Sequence, residues 1–132
     1  MSGDVRFAGY AAVFDRVDRG GDVVRAGAFG VVSGDVPLLW QHSPGDMIGT
    51  VERVEEDARG LRVVGRVSAR TAVGRAAAAA LREGALDGLS FGYRVRAARG
   101  HRPRELLALE LVEVSLVTHP MQPMARVVKV AG

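Results

Sequence analysis

Ser90 sits inside Gly88-Leu89-Ser90-Phe91-Gly92, a literal G-x-S-x-G. A serine hydroxyl attacks a carbonyl once a base takes its proton and a third group orients that base. Three histidines are available as the base. His42 closes "VPLLWQH", His119 lies in "VTHPMQP", and His101 falls in the turn-forming "ARGHRP", where solvent exposure is expected. For the orienting group, "LELVEVSLVTHP" is informative. Strand alternation puts Leu109, Leu111, Glu113 and Ser115 on one face and Glu110, Val112, Val114 and Leu116 on the other. A carboxylate sharing a face with two leucines costs on the order of several kcal/mol to bury alone. A histidine N–H would be a suitable partner. The alternative is an edge-strand glutamate that faces water or one of the many arginines.

Other chemistries find little support. There are no cysteines, which excludes disulfides, thiolate zinc sites and a cysteine nucleophile. No H-x-x-x-H or H-E-x-x-H spacing occurs, so neither a metal nor an organic cofactor is called for. Seventeen of the eighteen basic residues are arginine, yet the net charge is only +3. The densest basic stretch, "YRVRAARGHRPR" (93–104), reads as a solvated hairpin rather than a nucleic-acid surface, because one aromatic residue accompanies it. No apolar run approaches the roughly 18 residues needed to span a bilayer. The N-terminal stretch has no secretory pattern, and a cytoplasmic location is expected.

The elements that must position these residues are mostly strands. Alternating and β-branched stretches at 5–14, 37–42, 49–57, 60–68, 89–98 and 105–118 are separated by the turn clusters "DRGGD" (18–22), "HSPGD" (42–46), "EDARG" (56–60) and "ARGHRP" (98–103). Two hairpins follow, one through Asp57-Ala58-Arg59-Gly60 and one through Gly100 to Pro103. "SARTAVGRAAAAALREGAL" predicts a helix capped by Ser68 or Thr71 and ended by Gly84. A shorter helix is expected from about Ala26 or Ala28 through "GAFGVV". The class is mainly β with one or two helices, a small barrel or rolled sheet, in a single domain over residues 1–132.

This order decides one question about the serine. In the α/β-hydrolase elbow, G-x-S-x-G follows a strand and opens a helix. Here a helix precedes it and a strand follows. A doubly wound parallel sheet also needs more β–α alternation than this chain shows. A lipase-like hydrolase is excluded.

Five ordered blocks resemble the prohead (capsid maturation) serine proteases of tailed phages of the HK97 type. They are "FAGYAAVFDRVDRGGDVVRAGAF", "VPLLWQHSPGDMIGTV", "EDARGLRVVGRV", "REGALDGLSFGYRV" and "LLALELVEVSLVTHPMQPMARV". That family is similar in fold to the herpesvirus assembly proteases, so the resemblance implies a small closed β-barrel with surrounding helices. It implies Ser90 as nucleophile, His42 as base and a third member in "EVSLV", where this sequence offers Glu113. His119 is the competing third member. Spacing from Ser90 and the inward face favour Glu113. An oxyanion hole of main-chain groups would lie in "THPMQPMA" (118–125), with Met121 and Gln122 as candidates; prolines 120 and 123 cannot donate.

The implied activity is a serine endopeptidase that removes the N-terminal scaffolding segment of the major capsid protein, and perhaps cuts itself, inside an assembling prohead in the bacterial host. Self-association as a dimer is expected by the same resemblance. The chain ends soon after the closing loop, as a version from a gene transfer agent could. The alternative is a catalytically idle capsid-binding or scaffold-chaperone domain with the same fold.

Overall fold

A computed structural model describes residues 3–32 and 35–132. The period-2 stretches form strands: β1 (Val5–Val13), β2 (Asp22–Val24), β3 (Val36–Trp40), β4 (Ser43–Glu56), β5 (Gly60–Val67), β6 (Gly88–Arg99), β7 (Arg104–Val117) and β8 (Val127–Ala131). Among the described residues there is one helix, α1 (Ala72–Glu83). Its boundaries follow from local chemistry. Thr71 caps it by accepting from the Gly74 N–H at 3.0 Å. Gly84 ends it at φ 69°, left-handed, with the Ala85 N–H returning to the Ala80 carbonyl at 2.9 Å. Ser68, the other candidate cap, accepts only a long 3.4 Å bond from the Arg70 N–H. Gly74, Ala77, Ala78 and Leu81 form the buried face.

All strands join one curled sheet in the order β2-β7-β3-β4-β5-β1-β8, with β6 paired to β7. Most neighbours are antiparallel, but β3 and β2 both run parallel to β7. The sheet curls into a half-barrel, and a narrow seam ties the start of β6 to the segment before β8. Gly88 bridges to Arg126, the Leu89 N–H donates to the Ala125 carbonyl at 2.9 Å, and the Val127 N–H donates to the Asp87 carbonyl at 2.8 Å. The same segment meets β1, where Gly9 pairs with Val127. Inside the curl lie Leu38, Leu61, Leu89, Leu106 and Leu116 with Val5, Val63 and Val67, all essentially inaccessible. Such aliphatic burial is the main stabilising contribution.

Both expected hairpins are present. The β4–β5 turn is closed by the Asp57 carboxylate, which accepts from the N–H groups of Arg59 and Gly60 at 2.8 and 3.1 Å. In the β6–β7 hairpin the arginines face carboxylates: Arg94 and Arg96 meet Glu110, and Arg99 meets Glu105. Arg104 forks onto Asp22 at 3.0 and 2.9 Å. A paired, solvated hairpin accounts for the basic stretch.

Two expectations are corrected. Residues 25–30 form turns rather than a second helix. Gly27 and Gly30 adopt φ 89° and 60°, and the Glu56 carboxylate takes the N–H groups of Gly27 and Phe29 at 2.6 and 2.9 Å. The turn placed at 42–46 lies instead at Gln41-His42, and Ser43 already belongs to β4. The short strands β2 and β8 carry too little pattern to be foreseen.

Candidate active site

Trp40 pairs with Ser43, so Gln41 and His42 alone turn the chain between β3 and β4. Both have positive φ, 50° and 60°. This is the backbone of a two-residue hairpin turn usually filled by Asn-Gly. Each L-residue held there costs roughly 1–2 kcal/mol. The surroundings hold it in place. The Gln41 N–H donates to the Leu116 carbonyl at 2.9 Å, and its side-chain amide donates to the Thr118 hydroxyl at 2.5 Å and accepts from the Thr118 N–H at 3.1 Å. The His42 N–H donates to the Ser115 hydroxyl at 3.2 Å. Backbone strain of this kind clusters at functional sites in proteins generally.

The imidazole is partly exposed and reaches over β7. Its Nδ1 lies 2.5 Å from Glu113 Oε1, and Glu113 is only 7% exposed. The other carboxylate oxygen, Oε2, accepts from the Ser115 hydroxyl at 2.6 Å. The buried glutamate therefore has the histidine partner that its burial demands. With Nδ1–H donating to the carboxylate, Nε2 keeps its lone pair and faces away. The Glu113 hydrogen bond raises the His42 pKa above its ordinary value of 6.5; burial opposes this and the carboxylate charge adds to it.

The alternation expected along β7 is corrected locally. Gly92 pairs with Glu113, but Tyr93 pairs with Leu111, leaving Val112 as an extra residue. That bulge puts Leu111 out of phase with Glu113. Glu113 shares its face with Ser115 and, across the ladder, with Gly92. Gly92 has a steric reason to be glycine: a Cβ there would stand 2.6 Å from Glu113 Oε1.

Ser90, 7% exposed, pairs with Ser115 in the β6–β7 ladder. Directly opposed residues have Cβ atoms about 5 Å apart on the same face. β7 thus runs between β3, which leads into His42, and β6, which carries Ser90. Ser115 is the ladder partner of one and the hydrogen-bond partner of the other. Phe91 fixes β6 beside the serine, with its ring edge-on to Phe29 at 5.3 Å and 4.9 Å from Tyr93.

The remaining candidates make no hydrogen bond to His42, Glu113 or Ser115. His119 is exposed in the loop after β7 and takes no part in the hydrogen bonds around Glu113; His101 is exposed in the turn at the other end of the hairpin. Met121 is 48% exposed and its carbonyl accepts from the Arg19 N–H. Gln122 is buried, and its amide braces β1 by accepting from the Val13 N–H at 2.7 Å and donating to the Val13 carbonyl at 3.0 Å. Their loop packs on the start of β6, where a Cβ on Gly88 would meet Pro120 at 3.0 Å. Sequence reasoning passed over Ser115, Gly92 and Gln41. The signal for Ser115 was its place two residues after Glu113.

Known proteins resemble the chain in sequence and in fold. The chain is 30% identical to the prohead protease of Enterobacteria phage HK97, over 67% of this chain and 42% of that protein. In structure it is similar to the KSHV protease in complex with a hexapeptide phosphonate inhibitor, with TM-score 0.64 and 12% identity over 98% of this chain and 65% of that one. The varicella-zoster virus protease gives TM-score 0.61 and 16% identity over 94% and 63%. The curled sheet is thus a herpesvirus-protease fold. The chain spans less than half the length of the HK97 protein and just under two thirds of the herpesvirus chains. The sequence profile of the caudovirus prohead serine proteases matches residues 2–131, and the chain belongs to that family.

Proposed function

We propose that the chain is a serine endopeptidase of capsid maturation, with Ser90 as nucleophile, His42 as general base and acid, and Glu113 as the group that orients the imidazole. Ser90 Oγ attacks the peptide carbonyl while its proton passes to His42 Nε2. The imidazolium then delivers that proton to the leaving amine, and water releases the acyl group by the same route in reverse. The observation that carries this reading is the His42–Glu113 contact, set on the strand next to Ser90.

The tetrahedral oxyanion needs donors as well, and each is worth roughly 10²–10³ in rate. Main-chain N–H groups of the 118–125 loop, at Met121 or Gln122, are the proposed source. The proposed substrate is the scaffolding segment of the major capsid protein, cut inside the assembling shell in the bacterial host, by a protease that self-associates. Co-expression with its own capsid protein, followed by mass spectrometry of the capsid N-terminus, tests the reading. Ser90→Ala should leave the N-terminus intact while shells still assemble; cleavage by that variant would overturn it. Fluorophosphonate labelling at Ser90, lost in His42→Ala, separates an enzyme from an idle scaffold domain.

A further inference from the structure

We infer that Ser115 is a positioning residue that locks the base and its carboxylate into one unit, by donating to Glu113 Oε2 and accepting from the His42 main-chain N–H. The inference rests on the triad reading above and extends it to a fourth side chain. A hydroxyl has one proton and two lone pairs. Here the proton goes to Glu113 at 2.6 Å, and one lone pair takes the His42 N–H at 3.2 Å. Ser115 is 0% exposed, so water cannot replace either contact. Its proton is committed to a carboxylate and its oxygen is closed to solvent, which also disqualifies it as a rival nucleophile.

Each bond answers a separate geometric problem. The terminal torsion of a glutamate is broad, so a carboxylate held by one hydrogen bond still swings. His42 engages Oε1 and Ser115 engages Oε2, and two points of attachment fix the plane. The second problem is the turn. His42 sits at φ 60°, a backbone that relaxes unless it is held. Gln41 is clamped to Thr118 on one side of the turn, but the His42 N–H itself is held by Ser115. One buried hydroxyl therefore sets both the acceptor and the backbone of the residue that donates to it.

The test compares Ser115→Ala with Ser115→Thr, which keeps the hydroxyl. Capsid-protein cleavage gives kcat and KM. In parallel, the His42 ring is titrated by NMR in a Ser90→Ala background, a readout that does not need activity. With the hydroxyl gone, kcat should fall about 10²-fold, as expected for a misplacement near 1 Å, with KM little changed. The His42 pKa should move down toward its ordinary value as contact with Glu113 loosens, and threonine should restore both. Wild-type kcat and an unchanged titration in Ser115→Ala would overturn the inference. Should alanine prevent folding, Ser115→Cys, similar in shape but a weak donor, takes its place under the same two criteria. Cleavage that survives Ser90→Ala would instead sink the nucleophile assignment, leaving the Ser115 titration to be judged separately.

Discussion

Gly92 and Glu113 face each other across the β6–β7 ladder, and a methyl group on Gly92 would stand 2.6 Å from the oxygen that holds His42. The second glycine of G-x-S-x-G is thus the space in which the carboxylate lies. Gly92→Ala should displace Glu113 and lower kcat about 10²-fold. Its φ is not in the left-handed range, so the backbone accepts alanine, and the clash with the buried carboxylate should cost about 1–3 kcal/mol of stability. Parallel kinetics and denaturant melts check this; a fully active Gly92→Ala would mean that the carboxylate position is not critical.

Replacing Glu113 by Gln removes the charge but keeps the shape. A glutamine can present its NH₂ to the imidazole and select the wrong tautomer, so kcat should fall by roughly 10³–10⁴. His42 must be neutral to act as base, and its pKa is raised by Glu113. The acid limb of the wild-type pH–rate profile should therefore lie above 6.5, and in Glu113→Gln it should move down. A limb that stays in place would mean that it belongs to another group.

The same shift has a sign in stability. A raised folded-state pKa stabilises the fold fully below the ordinary histidine value of 6.5, and that contribution is lost as pH rises through the raised value. Wild type should therefore exceed Glu113→Gln in stability by more at pH 6 than at pH 9. Urea titrations at the two pH values measure the gap.

Gln41→Gly separates strain from positioning at the hairpin turn. Glycine relieves the left-handed backbone cost of roughly 1–2 kcal/mol but removes both side-chain bonds to Thr118. These effects offset each other to within about 1 kcal/mol, since each exposed bond contributes roughly 0.5–1.5 kcal/mol. Catalysis should still decline, because the turn that carries His42 loses its clamp on the Gln41 side. Unchanged kcat with raised stability would show that the clamp is dispensable.

Gln122→Ala should be the most destabilising of these changes. It strands a buried N–H and a buried carbonyl on Val13, at about 1–3 kcal/mol each. Thermal melting should register the loss, and cleavage should fall in step because the loop beside the start of β6 comes free.

The strands β1, β5, β6 and β7 were legible from apolar, β-branched stretches between turn clusters, and α1 from its alanine run and ordinary caps. The β3–β4 turn was misread for a physical reason: Gln41-His42 is not a turn-forming pair, whereas Pro44-Gly45 is, and the left-handed backbone is imposed by tertiary bonds. Residues 25–30 looked helical because Glu56, distant in sequence, supplies the contacts that hold them as turns. The cost of burying a carboxylate made Glu113 a candidate, and the resemblance to the prohead proteases made it the third member. Leu111 was put on the Glu113 face wrongly because a bulge at Val112 is invisible to alternation, whereas Ser115 was placed correctly. Ser115 was placed on that face but given no role, since its two hydrogen-bond partners, Glu113 and the His42 N–H, are supplied by the fold.

The parallel pairing of β3 with β7 joins Leu38 to Val114 and Trp40 to Leu116 across a long stretch of intervening polypeptide. Such a pairing forms only after the chain has been synthesised through β7. Under the proposed mechanism, a chain that has emerged only as far as Ser90 lacks Glu113 and Ser115, so the centre assembles only once β7 has joined β3 and β6.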